Sequence, residues 1–107
     1  MPVLGRDMRR RTYTRDVSGP RISVESSGGD VYRVVVKEPR GTTTHEVTVT
    51  AGDVARYAPG ATAVRLLEAS FEFLLAREPA SSILSRFALP VIEHYFPEYP
   101  RAIKRMV

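Results

Sequence analysis

Residues 31–50, VYRVVVKEPRGTTTHEVTVT, hold two runs that alternate with a period of two on either side of a turn. In the first run Tyr32, Val34 and Val36 share one face; in the second, His45, Val47 and Val49 oppose Glu46, Thr48 and Thr50. Successive side chains of a strand point to opposite faces, so this spacing predicts two half-buried strands. Between them Glu38-Pro39-Arg40-Gly41 places proline and glycine where a type I turn takes them. Toward the N-terminus, RISVE (21–25) alternates Ile22 and Val24 with polar residues, and SSGGD (26–30) supplies two glycines for positive φ. The expectation is an antiparallel meander of three strands with one wet face. RTYTRDV (11–17) also alternates, weakly, and would supply a fourth strand.

After Thr50 the period becomes that of helices. Thr50 and Asp53 resemble a capping pair, so a short helix over AGDVARYA (51–58) should start there and stop at Pro59-Gly60. ATAVRLLEASFEFLLARE (61–78) is the longest helical pattern. Val64, Leu67, Phe71, Leu74 and Leu75 form its apolar stripe, widened by Leu66 and Phe73, with Arg65, Glu68 and Glu72 opposite. Further on, Ser81 is read as the cap of a helical turn over SILSRF (82–87), and Pro90 as a first-turn residue of another helix. That helix would place Val91, Ile92, Tyr95 and Phe96 on one face and end before Pro97. A last helix, starting at Pro97 or Pro100, points Ile103, Met106 and Ala102 inward and Arg101, Lys104 and Arg105 outward. Prolines at 20, 39, 59, 79 and 100 have dissimilar flanks, so they punctuate elements and do not mark a repeat.

The fold class that follows is α+β: a three- or four-stranded antiparallel sheet from the N-terminal half, covered on one face by one long and several short helices. The 107 residues are about one domain's length, and 43% hydrophobic with 26% charged residues is a globular composition. Residues 19–107 are read as that domain and residues 1–18 as a basic arm. Cysteine is absent, which excludes disulfides, thiolate nucleophiles and sulfur-ligated zinc. Together with an N-terminal MPVLGRDMRRR that lacks the apolar run of a secretory signal, this points to the cytoplasm and away from a membrane.

The C-terminal residues SFEFLLAREPASSILSRFALPVIEHYFPEYPRAIKRM resemble the C-terminal half of a group of small, mostly uncharacterised bacterial proteins with a FEFLLxREP…SIL…F.LPVI..YFPEY signature. The resemblance covers residues 70 to about 105 and rests chiefly on LPVI and YFPEY. It implies a bacterial cytoplasmic protein with a strand-rich N-terminal half. It brings with it no activity and no binding residue.

The candidate chemistry is sparse. His45 and His94 each stand beside a glutamate, a donor set suited to zinc or iron, yet no HExxH or other close ligand spacing exists, and ordinary hydrogen bonding is expected of both. Glu68 and Glu72 lie one turn apart and would need burial to act as an acid and base pair; sharing a stripe with Arg65, they read as a solvated face. SSGGD lacks any phosphate-binding pattern and sits between strands. Ser81, Ser82 and Ser85 have no nucleophile-elbow context. No catalytic, metal or cofactor residue is expected, and no enzyme.

The net charge of +4 is unevenly placed: residues 6–21 carry +4, residues 101–107 carry +3, and the middle carries −3. Arg9, Arg10, Arg11 and Arg15, with Arg101, Lys104 and Arg105, are the candidate nucleic-acid contacts, since guanidiniums pair with phosphate and Tyr13 among them suits stacking. Tyr95, Phe96 and Tyr99 are the candidate protein contacts wherever the C-terminal aromatics are not fully buried. The expected function is a non-enzymatic small binding module with a protein partner, or a second copy of itself at a sheet edge; the alternative is an RNA- or ribosome-associated protein using the arginine arm.

Overall fold

Alternation in the sequence becomes alternation in burial. The computed structural model describes residues 21–107, in the order β1 (Arg21–Gly28), β2 (Val31–Glu38), β3 (Gly41–Thr48), α1 (Ala51–Tyr57), α2 (Ala63–Leu75), a 3-10 turn (Ala80–Ser82), β4 (Arg86–Ala88), α3 (Val91–Tyr95) and α4 (Tyr99–Met106). Val34, Val36, His45, Val47 and Val49 are buried, Ile22, Val24 and Tyr32 half-buried, and Arg33, Lys37, Thr44 and Glu46 exposed on the other face. β1 and β2 pair antiparallel from Arg21↔Lys37 to Ser26↔Tyr32, after which a bulge shifts the register to Gly28↔Val31. Gly28 and Gly29 take the positive φ that this turn requires. β2 and β3 pair antiparallel without interruption from Val31↔Thr48 to Glu38↔Gly41.

The fold is α+β, as expected, but among the described residues the sheet gains a fourth strand from the C-terminal half, and it runs parallel to its neighbour. RTYTRDV lies outside the described residues. The strand beside β3 is Arg86–Ala88, running parallel to it with Val47 opposite Phe87, so the sheet is mixed, in the order β1-β2-β3-β4. The helical turn expected over SILSRF is therefore corrected: only a 3-10 turn forms, preceded by extended Pro79, and Ser81 makes no cap bond. Glu46 N–H donating to the Ser85 carbonyl, and Leu89 N–H to that of Thr48, hold the segment in the sheet. α1 and α2 make up the crossover that a parallel neighbour demands.

Local signals start the helices. Thr50 accepts from Asp53 N–H while the Asp53 carboxylate accepts from Thr50 N–H, a full capping box for α1. Thr62 accepts from Arg65 N–H at the start of α2. α2 then buries Leu66, Leu67, Ala69, Phe71, Phe73 and Leu74, against the sheet on one side and α1 and α4 on the other. Each large apolar side chain so buried contributes about 1.5–3 kcal/mol. Val64, expected in that stripe, is instead exposed in the first turn. α4 begins at Tyr99 with Pro100 in its first turn, which decides between the two starts, and Ile103 is buried while Arg101, Lys104 and Arg105 face solvent.

Candidate protein-binding groove

Beyond β3, the chain between Pro79 and Phe96 folds into an open groove of about 290 Å3. Leu74, Ile83, Phe87 and Ile92 form its buried floor. Leu84 and Tyr95 stand at its sides, 48% and 64% exposed, and Glu78 is the one charged residue among those lining it. Extended backbone explains the first wall: neighbouring side chains Ile83 and Leu84 must point to opposite sides, so one enters the core and the other remains in water. The second wall is set by prolines. Pro90 sits in helical conformation ahead of α3, and Phe96, pushed out of the helical region by Pro97, ends it after five residues.

Two sets of contacts brace α3. On one side Glu93 accepts from the Tyr57 hydroxyl and from the Arg56 guanidinium, both at 2.8 Å. Burial, reinforced by the Glu93 carboxylate, pushes the Tyr57 hydroxyl from its ordinary pKa of 10 up to about 12. On the other side the Phe96 ring meets Phe73 edge-on at 5.8 Å, and the Arg77 guanidinium lies 3.6 Å from the centre of the opposite partner ring, that of Phe73, while pairing with Glu98. Tyr95 is held less closely: among the described residues its one aromatic neighbour is exposed His94, at 5.3 Å.

Of the three aromatic residues expected at a protein contact, the structure keeps two together. Tyr95 and half-buried Phe96 line the groove. Tyr99 does not. It is 0% exposed, with its hydroxyl on Ser70 at 2.7 Å and its ring against Tyr57 and Phe73, so it belongs to the core. Burial raises the pKa of that hydroxyl as well. Leu84, Phe87 and Glu78 were not singled out by sequence, because their grouping depends on the parallel strand.

The remaining candidates are dispersed. His45 is 2% exposed; its Nδ1 lies 2.8 Å from the Leu84 carbonyl and its Nε2 2.9 Å from the Thr43 hydroxyl. A carbonyl only accepts, so in the neutral ring Nδ1 carries the hydrogen and Nε2 accepts from Thr43. His94 is exposed on α3, and among the described residues no cluster of three or more histidines and carboxylates could hold a metal ion. Glu68 pairs with Arg65 at 3.7 Å on a partly solvated face, and Glu72 is exposed. Ser81, Ser82 and Ser85 are exposed. Arg101, Lys104 and Arg105 line the outer face of α4, whereas Arg9, Arg10, Arg11 and Arg15 lie outside the described residues. No described helix is long and apolar enough to cross a membrane.

Fold and groove together define a small α+β domain whose open mixed sheet carries an apolar groove beside its parallel edge strand. Compared with known protein families, with curated proteins and with solved structures, the chain finds no match in any of the three.

Proposed function

We propose that the protein is a small non-enzymatic binding module of the bacterial cytoplasm, and that a segment of a partner protein docks in the groove between β4 and α3. The observation that carries this reading is the pair Leu84 and Tyr95, two large side chains left about half and nearly two-thirds in solvent beside an apolar floor. Leaving them in water forgoes the burial energy that Leu74, Ile83, Phe87 and Ile92 gain, and docking recovers it. The groove fits a segment bearing one or two apolar anchors, with a basic residue facing Glu78. A cysteine-free chain and its bacterial resemblance support the cytoplasm.

A photo-crosslinking amino acid at position 95, introduced in living bacteria, tests the reading. The expected result is a discrete protein adduct whose crosslinked peptide carries an apolar and a basic residue, and which disappears in Leu84→Glu. No adduct, or one that survives Leu84→Glu in a folded protein, would overturn it.

The alternative, RNA binding, is favoured by one feature. Arg101, Lys104 and Arg105 are all exposed, and among the described residues none has a carboxylate within ion-pair distance. With the arginine arm they would contact phosphates, and affinity for a labelled RNA would then fall steeply between low and physiological salt. Absence of binding at low salt removes this reading.

A further inference from the structure

β1 is the outer strand of the sheet, and its hydrogen-bonding direction can be worked out from the registers. Glu38↔Gly41 closes a two-residue turn and is therefore a hydrogen-bonded pair, so alternation makes Val36↔Thr43, Val34↔His45 and Tyr32↔Val47 the others. The backbone groups of Lys37, Val35 and Arg33 then serve the opposite neighbour, through Arg21, Ser23 and Glu25. By the same alternation the N–H and C=O groups of Ile22, Val24 and Ser26 point away from the sheet, and no described strand pairs with them. Pro20 precedes this edge and the bulge after Ser26 ends it, leaving a straight row of six residues, 21–26.

We propose that a second copy of this chain pairs antiparallel with that row, about a two-fold axis through Ser23. Ile22 then exchanges hydrogen bonds with Val24 of the second copy, and Val24 with its Ile22. Arg21 stands opposite Glu25 of the second copy, twice over by symmetry. Registers displaced by two residues would set Arg21 against Ser23 or Ser27, so only the proposed one matches the charges. Glu25 already lies 3.7 Å from Arg33 on the exposed face, and pairing places it between two guanidiniums. On the opposite face half-buried Ile22 and Val24 of the two copies adjoin, and the product is one continuous eight-stranded sheet. The groove flanks β4, the other edge, so this pairing does not depend on the function proposed above.

The chain has no cysteine, so Ser23→Cys introduces a single thiol on the symmetry axis. There it forms a non-hydrogen-bonded pair with Cα atoms about 4.5 Å apart, a separation a disulfide can bridge. Equilibrium sedimentation of the wild-type protein at micromolar concentration is expected to give twice the 12.0 kDa chain mass. Ser23→Cys should oxidise to a linked dimer at least tenfold faster than Thr44→Cys, which is also exposed and on the same face. Glu25→Arg should give a monomer with unchanged circular dichroism, and adding Arg21→Glu should restore the dimer. A wild-type monomer at millimolar concentration, whether its edge stays open or another segment of the chain takes it, overturns the proposal. So does a Ser23→Cys oxidation rate no greater than that of Thr44→Cys, or a folded double variant that remains monomeric.

Discussion

Tyr57 and Tyr99 bring two hydroxyls into the helical half of the core, and among the described residues each has one partner: Glu93 for the first, Ser70 for the second. For both, burial is the first reason that ionisation is disfavoured, and it moves Tyr57 from 10 to about 12. Above pH 10 the unfolded chain releases protons that the folded chain keeps. This contribution to stability is therefore complete below pH 10 and is lost as pH rises through 10 toward 12. Urea unfolding of the wild type across that window should show a steady loss, and Tyr57→Phe a shallower one. At neutral pH Tyr57→Phe removes one hydrogen bond but leaves Glu93 with Arg56, and should cost about 1 kcal/mol. A cost near zero combined with an unchanged alkaline slope would show that the hydroxyl is solvated in the folded protein. Residue-scale chemistry of this kind is half legible in sequence. Alternation assigns His45 to the core face, but its acceptor, the Leu84 carbonyl, lies 39 residues further along, and only the folded chain brings it there.

Elements announced by neighbouring residues were legible, and those that depend on distant partners were not. β1, β2 and β3 follow from a period of two and turns of two residues, and α1 from the Thr50 and Asp53 pair. β4 has three residues with one buried, too short for a period, and its direction depends on a crossover through two helices. The same dependence hid the groove, since Leu84 and Phe87 meet α3 only once β4 is in place. The caps offer the test at this scale. Thr50→Ala and Thr62→Ala each remove the acceptor of one helix N–H and should cost about 1 kcal/mol, a fall of about 4–8 °C in melting temperature. Replacement by serine should recover most of it in each case. Calorimetry of the four variants checks this, and equal losses for alanine and serine would mean that the threonine methyl, not the hydroxyl, stabilises the helix start.

At the scale of the molecule, the two proposed contacts occupy opposite edges of one sheet. β1 and β4 are separated by β2 and β3, about 14 Å at normal strand spacing, and share no hydrogen-bonded partner. Substitutions that far apart combine additively unless a bistable element links them. Among the described elements, α2 reaches both regions: it packs on β1 and contributes Leu74 to the groove, with Glu78 following three residues after its end. It is a single capped helix with a continuous buried face, which has no second arrangement available without opening the core. Leu84→Glu should therefore leave the sedimentation mass of a dimer unchanged, and Glu25→Arg should leave the yield of the position-95 adduct unchanged while giving a monomer. If instead Glu25→Arg abolishes the adduct, the partner spans both copies and recognises the dimer rather than one groove. Comparing adduct yield across Glu25→Arg and the charge-exchanged double variant distinguishes the two cases, because only in the second does yield return with the dimer.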